Sequence, residues 1–194
     1  MLAQAFLGLA TAFGLSTAAG LNAYIPLLVV ALLARLTPLI TLSEPYDALS
    51  NWWVIGTLAV LLVVEILVDK IPAVDTINDI IHTFIRPAAG AILFAATTNT
   101  IGVHPVLAAI LGVILAGGVH AVKAGGRPVV AATTAGLGDP IVSTIEDIIS
   151  LVTSVLAIVA PYVVLALILI SVSLFAWWYA RRRRRRHARQ VERY

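Results

Sequence analysis

The sequence predicts an all-α, polytopic integral membrane protein with about six transmembrane segments. Hydrophobic residues make up 60% of the 194 residues, and the mean hydropathy is +0.99. Several apolar stretches are interrupted by Gly and Pro, and polar residues cluster at the interruptions. Irregular backbone is tolerated inside a bilayer only where protein or water covers it. We therefore expect broken or re-entrant helices, and a binding site beside them.

The first apolar stretch, residues 2–36, is too long for one ordinary crossing. A Gly-containing segment at 14–20 lies in its middle, and Asn22 follows. Because each Gly costs about 1 kcal/mol in a helix interior, we favour two half-helices that meet near residues 14–22 over one long tilted helix. Residues 1–14 contain no Lys or Arg, so this segment is expected to belong to the mature protein and not to a secretory signal.

The central part of the chain contains a loop, a span and an amphipathic helix. Residues 37–51 carry two acidic and no basic residues. Two Trp residues open the next span, which runs to about residue 68 and suits an interfacial aromatic belt. Residues 69–86 are polar enough to leave the bilayer, but their apolar residues recur at helical spacing. This pattern predicts an amphipathic helix that lies on the membrane or on the protein.

The remaining apolar segments are shorter or interrupted. They comprise 87–100, 105–122, 128–149 with a break at 135–140, and 151–179 with a kink at Pro161. A turn is expected at Gly125-Gly126. We interpret the chain as one transmembrane domain at 1–180 and a basic cytoplasmic tail at 181–194, because eight of the thirteen Lys and Arg residues lie in that tail.

The distribution of basic residues predicts the orientation. With six crossings, the positive-inside rule places both termini on the cytoplasmic side of a bacterial inner membrane, and the acidic loop 37–51 outside. Arg-Pro pairs at 86–87 and 127–128 both open short apolar segments. They indicate an internal repeat, which is typical of transporters whose site lies between two halves. In a composition this rich in small apolar residues, chance recurrence of short segments explains these pairs equally well.

Acidic and amide residues at the interruptions are the candidate ligands for an ion or a polar solute. Glu65 lies inside an apolar run, where a carboxylate is expensive to keep. Asp69 follows it by one helical turn. Carboxylate oxygens bind hard cations or relay protons. The candidate substrate- or ion-binding residues are Asn22, Glu65, Asp69, Asp75, Asn78, Asp79, Asp139, Glu146 and Asp147. Helix capping by Asn22 or Asp139, and a solvated helix face, are the structural alternatives.

Four basic residues are candidates for contact with an anionic headgroup: Lys70, Arg86, Lys123 and Arg127. The alternative is a purely topological role, in which Lys123 extends to the interface. His82 and His120 together with a carboxylate suggest a metal site, but their spacing matches no metal motif. We predict no catalytic residue and no cofactor, which favours a non-enzymatic protein. The Arg tail is interpreted as an orientation signal that is also attracted to anionic lipid. Nucleic acid is excluded as a partner.

Four segments resemble a bacterial integral-membrane family catalogued as domain of unknown function 4126. The matching segments are 14–26, 65–79, 86–90 and 136–147, of which Asp69-Lys-Ile-Pro72 is the most specific. Similar sequences often have Asn where this chain has Asp139, which implies that this position does not need its charge. The resemblance implies membrane location and a single domain. It implies no reaction, substrate or cofactor.

The leading functional hypothesis is a small transporter or channel for a cation or polar solute, assembled as a homo-oligomer because few helices are available to enclose a path. The first alternative is a membrane-embedded lipid-handling protein or enzyme that acts on a phosphorylated headgroup. The second alternative is a non-catalytic membrane scaffold that docks a partner through the helix at 74–85 or through the Arg tail. The lipid bilayer is the expected partner in all three.

Overall fold

The computed structural model describes residues 2–69, 72–134 and 138–191. Within these ranges the chain is all-α, which confirms the predicted fold class. Short 3-10 helices lie at Tyr46–Ser50 and Asn99–Ile101. The seven α-helices are α1 (Leu2–Leu21), α2 (Tyr24–Leu36), α3 (Trp52–Val68), α4 (Pro72–Thr98), α5 (Pro105–Thr134), α6 (Asp139–Val159) and α7 (Pro161–Val191).

In the described part of the chain, five segments are long and apolar enough to cross a membrane: Leu2–Leu21, Ile80–Ile101, Pro105–Thr134, Asp139–Val159 and Pro161–Tyr179. Helices α2 and α3 are apolar but shorter. A helix of about 20 residues spans the hydrocarbon core, so the chain has the architecture of a multi-pass membrane protein.

The surface of α6 shows how the bundle is adapted to lipid. Ile141 and Ile148 are 64% and 57% exposed, whereas Ser143, Ser150 and Ser154 are buried. The outer face is therefore apolar and the inner face is small and polar. This distribution is the reverse of a water-soluble bundle, and small polar residues at the interface are typical of membrane helix packing.

Helix α1 is the central helix, with contacts to α4, α5, α6 and α7. Small residues allow the close approach. Ser16 Oγ donates to the carbonyl of Gly90 in α4 at 3.0 Å, and Ser150 Oγ of α6 donates to the carbonyl of Ala18 at 3.1 Å. An added Cβ at Gly14 would lie 2.6 Å from the Cβ of Ala157, so α1 and α6 also cross with no room for a larger residue.

The chain reverses direction between α1 and α2. At one end of the bundle, Gly8 packs against Ile101, and Asn99 Nδ2 donates to Ser43 Oγ at 2.8 Å. The start of α1 therefore lies at the same end as segment 37–51. Helix α2 runs from the opposite end back to this one, antiparallel to α1.

The side of the membrane on which each terminus lies stays a prediction. The expectation of two cytoplasmic termini counted residues 2–36 as one crossing, whereas the structure has two helices there, α1 and α2. Helix α6 is antiparallel to α1, and α7 begins where Val164 meets Gly14 and returns along Thr17 and Leu21. The Arg run that starts at Arg181 thus follows at the end opposite to the start of α1.

One of the two predicted breaks can be compared with the described helices. Helix α1 is continuous through 14–20 and ends at Leu21, so the first break falls at Asn22 and Ala23 and not at the glycines. The glycines serve packing between helices. The second break was predicted at 135–140, and residues 135–137 lie outside the described part; helix α6 begins at Asp139 after a turn at Gly138.

Three predicted segment boundaries are wrong. Helix α4 continues through Pro87, and α5 continues through Pro128 and through the expected turn at Gly125-Gly126. Proline is tolerated inside a membrane helix where neighbouring groups satisfy the freed carbonyl. Conversely, the expected span 151–179 is divided at Ala160 between α6 and α7.

Candidate functional site

A buried polar cluster lies where α3, α4, α5 and α6 meet the junction of α1 and α2. We define this cluster by its described side chains: Asn22, Glu65, Asp69, His82, Thr83, Arg86, His120, Lys123, Arg127, Ser143, Glu146 and Asp147. Eight of these residues were expected from the sequence to bind a ligand or a headgroup, namely Asn22, Glu65, Asp69, Arg86, Lys123, Arg127, Glu146 and Asp147. The fold thus brings together residues that are up to 125 positions apart.

Asn22 builds the junction from which the cluster starts. Its Oδ1 accepts hydrogen bonds from the backbone N–H groups of Tyr24 and Ile25 at 3.0 and 3.1 Å, which is the capping pattern that starts α2. Its Nδ2 donates to Asp147 Oδ1 of α6 at 2.9 Å. Asn22 therefore fills both expected roles, as a helix cap and as a contact to a candidate site residue.

Lys123 provides a hydrogen-bond donor at the α1 end of the same junction. Its Nζ donates to the carbonyl of Leu21 at 3.1 Å and lies 2.8 Å from Glu146 Oε2. The last carbonyls of a helix have no partner within the helix, so a lysine here replaces the missing N–H groups. The prediction that Lys123 extends to the membrane interface is wrong, because its side chain is only 2% exposed.

Arg86 and Glu65 form the deepest ion pair. Arg86 is 0% and Glu65 2% exposed, and Arg86 Nη2 donates to Glu65 Oε1 at 3.2 Å. A charge in such surroundings requires a partner. His82 approaches from the preceding turn of α4, with Nδ1 3.4 Å from Glu65 Oε1.

The geometry around His120 assigns its tautomer. Arg86 Nη1 lies 2.9 Å from His120 Nδ1, and arginine only donates hydrogen bonds. His120 Nδ1 is therefore the acceptor and the ring proton resides on Nε2. That nitrogen lies 3.1 Å from Thr83 Oγ1, to which it donates. His120 is thus neutral and orients Arg86.

A second group of charges lies beside the first. Asp69 Oδ2 accepts from Ser143 Oγ at 3.1 Å and lies 3.6 Å from Arg127 Nη2. The same nitrogen of Arg127 is 3.8 Å from Glu146 Oε2. Glu146 and Asp147 therefore face the bundle, while their apolar neighbours on α6 face outwards.

Two cavities lead to this second group. One has a volume of about 160 Å³ and is lined by Lys123, Arg127, Asp139 and Glu146 with four small or apolar residues. The other, of about 390 Å³, shares Lys123 and Glu146 and extends along Leu21. Asp139 is half-buried at the wall of the first cavity, so it approaches the cluster without forming its centre.

Some predicted residues cannot be placed. Lys70 lies outside the described residues, and the side chains of Asp75, Asn78 and Asp79 lie outside the described part of α4. The amphipathic helix predicted at 74–85 is the start of α4, but its described face is inverted. Phe84 is exposed and His82 is buried, so the polar face lies on the protein.

His82 and His120 were considered only as metal ligands whose spacing matches no motif, and not as members of this ion or headgroup site. The sequence signal that identifies them is helical spacing, since His82 precedes Arg86 by four residues and His120 precedes Lys123 by three. Among the described residues, no group of three or more His, Cys, Asp and Glu side chains forms a metal site.

Comparisons with known proteins place the chain in a family. No curated protein and no solved structure matches it. A family model described as "Domain of unknown function (DUF4126)" matches residues 9–182. This range includes every residue of the polar cluster. Because the match covers most of the chain, the protein belongs to the DUF4126 family.

Proposed function

We propose that this protein is a small membrane transporter or channel, in which the polar cluster binds a monovalent cation. The observation that carries the proposal is the charge balance of the cluster. Its described side chains include four carboxylates but only three permanent cations, with His120 neutral. Asp139 at the adjoining cavity adds further negative charge.

An unbalanced charge inside an apolar bundle is unfavourable because the surroundings solvate it poorly. A bound cation removes the imbalance, which supports cation binding over anion binding. The carboxylates are Glu65, Asp69, Glu146 and Asp147, and the cations are Arg86, Lys123 and Arg127. Placing such a cluster between helices that are apolar outside is typical of ion pathways.

The two cavities support access to the cluster. They share Val122, Lys123 and Glu146, so they adjoin along α5 and α6. The Lys123–Glu146 pair lines both, and Glu146 directly precedes Asp147, which contacts Asn22. We propose that the ion enters here, at the end of the bundle from which the Arg run emerges.

Asp147→Asn tests the proposal in purified protein reconstituted into liposomes. The substitution keeps the shape and the acceptor for Asn22 Nδ2 but removes the excess charge. We expect wild-type protein to carry a monovalent cation or protons across the membrane, and Asp147→Asn to reduce the rate at least about tenfold, equivalent to about 1.4 kcal/mol. Glu44→Gln, in an exposed loop, is the matched control and should keep the wild-type rate. Folded wild-type protein that moves no cation, or equal rates in both variants, would contradict the proposal.

Lipid handling is the second candidate, and one observation favours it. An apolar cavity of about 360 Å³ lies between α1, α5, α6 and α7 and shares Leu21 and Val119 with the cavity at Lys123. An acyl chain in the apolar part would place a headgroup near Lys123. A phospholipid that co-purifies with wild-type protein and is lost in Lys123→Gln, together with an absence of cation flux, would favour this function.

A further inference from the structure

Four buried side-chain atoms of the cluster lack hydrogen-bond partners among the described residues: Glu65 Oε2, His82 Nδ1, Arg86 Nε and Glu146 Oε2. Glu146 Oε2 is held in an ion pair 2.8 Å from Lys123 Nζ, whereas Glu65 Oε2 and His82 Nδ1 lie on two neighbouring titratable side chains at the centre of the cluster. Glu65 and His82 are each 2% exposed, and the Nδ1 atom lies 3.4 Å from Glu65 Oε1. Buried polar atoms in native proteins nearly always have a partner. Two open atoms on two adjacent titratable groups therefore indicate a ligand-binding position.

The neighbouring side chains make other contacts, although Arg86 Nε has no partner among the described residues. Arg86 uses Nη2 for Glu65 and Nη1 for His120. His120 is held in one tautomer between Arg86 and Thr83. Among the residues that the structure describes, only the Glu65–His82 pair combines an open acceptor oxygen with an open ring nitrogen.

We propose that the Glu65–His82 pair binds one proton and that the proton is the ion carried, or coupled to transport, by this protein. This inference rests on the proposed transport function and names its ion. A hydronium ion gives its proton to the pair, which holds it on Glu65 Oε2 beside His82, and leaves as water. On release, a water molecule on the other side accepts that proton. No electron is exchanged, and the charge of the cluster rises by one while the proton is bound.

The geometry favours a proton over a metal ion. Hard metal cations take about six oxygen ligands, whereas this position offers one open carboxylate oxygen and one nitrogen. The guanidinium of Arg86 contacts the same carboxylate at 3.2 Å, and it would repel a metal cation. A proton needs only one donor and one acceptor, which a His–Glu pair supplies after a small movement of either side chain.

The charged and titratable groups around the pair come from every adjoining helix. Tyr24 of α2 lies with its ring centroid 5.8 Å from that of His82. Asp69 directly follows α3 and Arg86 belongs to α4, and their charges act on the pair. His120 and Lys123 of α5 act on it as well. The proton affinity of the pair is therefore set by the complete cluster and must be measured in the full chain.

Infrared difference spectroscopy tests proton binding independently of transport. Reconstituted protein is titrated with acid while the carbonyl stretching region is recorded. We expect a carboxylic acid band from a buried group that is absent in Glu65→Gln and is shifted in His82→Gln. Glu44→Gln, the exposed control, should keep the band. A titrating band that is identical in wild type and Glu65→Gln would overturn the assignment, as would the absence of any buried band.

Proton flux separates failure of this inference from failure of the transport function. Proteoliposomes that contain a pH-sensitive dye and a potassium gradient with valinomycin report proton entry. We expect proton flux in wild type, and flux at the level of protein-free vesicles in Glu65→Gln and His82→Gln when both remain monodisperse in detergent. Sodium or potassium flux at the same rate in wild type and in both variants would overturn the inference but keep the transport function. No flux of any cation from wild-type protein would overturn both.

Discussion

At the scale of single residues, the site depends on side chains that each make polar contacts to two different helices. Asn22 starts α2 and contacts α6, and Lys123 closes α1 and pairs with Glu146. Arg86 links α3 and α5 through Glu65 and His120. Such residues are costly to bury alone but stabilise the bundle when all of their contacts are made.

Replacing Arg86 tests this dependence. Arg86→Met leaves the Glu65 carboxylate buried without its cation, and we expect a loss of about 3–5 kcal/mol in the free energy of unfolding. The double variant Glu65→Gln/Arg86→Met removes both charges and should recover most of the loss. Denaturant unfolding in detergent measures both. Arg35→Met is the control, since exposed Arg35 stacks on Trp52 at 5.6 Å and should cost no more than about 1 kcal/mol. Equal losses in Arg86→Met and Arg35→Met would contradict the buried pair.

Which residues are buried together was partly predictable. Glu65 and Asp69 stand out because carboxylates inside or beside an apolar run are rare. Their partners could not be predicted, because Arg86, Ser143 and Arg127 reach them only through the packing of other helices. Lys123 was misjudged for the same reason, since the free carbonyl of Leu21 that binds it exists only once α1 ends there.

At the scale of helices, glycine contacts set the position of the cluster. Helices α4 and α5 cross where Gly90 meets Gly112, and an added Cβ at Gly90 would lie 2.6 Å from the carbonyl oxygen of Gly112. This approach brings Arg86 to His120, one to two turns further along. Backbones come this close only when no side chain intervenes.

Gly112→Ala should therefore destabilise the bundle. An added Cβ would collide with the backbone of Gly90, and overpacking of this kind costs about 1–3 kcal/mol. Gly118→Ala, on the same helix, meets nothing within 4 Å and should be neutral or stabilising, by up to about 1 kcal/mol from helix propensity. Thermal unfolding in detergent compares the pair. A tolerated Gly112→Ala would show that α4 and α5 do not cross at this point.

The helix boundaries were less predictable than the helices. Pro87 and Pro128 were taken as helix starts because proline ends most helices in water, yet both lie inside helices here. The inverted face of α4 has a related cause. Helical periodicity identifies two faces but does not tell whether the apolar one meets lipid or protein.

At the scale of the whole molecule, one chain encloses the polar cluster with helices α1 to α6. The expectation of a homo-oligomer rested on too few helices to surround a site; the described helices of one chain surround this cluster, and the oligomeric state stays a prediction. The positive-inside rule still applies, because Lys123, Arg127 and the Arg run lie towards one end and the acidic loop 37–51 lies at the other.

Single-cysteine labelling tests the resulting orientation in bacterial spheroplasts, since the chain has no Cys of its own. We expect Gln4→Cys and Ser50→Cys to react with a membrane-impermeant maleimide from outside, because both lie at the end of the bundle that carries few positive charges. Gln190→Cys should react only after permeabilisation. Ala157→Cys, which is fully buried, controls for non-specific reaction. Protection of Gln4→Cys together with Gln190→Cys would instead support two cytoplasmic termini.

The central position of α1 has a consequence for biogenesis. Its small-residue faces receive α4, α5, α6 and α7, all of which leave the ribosome later. After its insertion, α1 therefore stays in the membrane without these helix contacts at Gly14 and Ser16 while more than half of the chain is still being synthesised. Asn22 meets Asp147 only after about three quarters of synthesis is complete. Most helix–helix contacts of this bundle therefore form after the helices have been inserted. Until then, an insertase or lipid must cover the small-residue faces of α1.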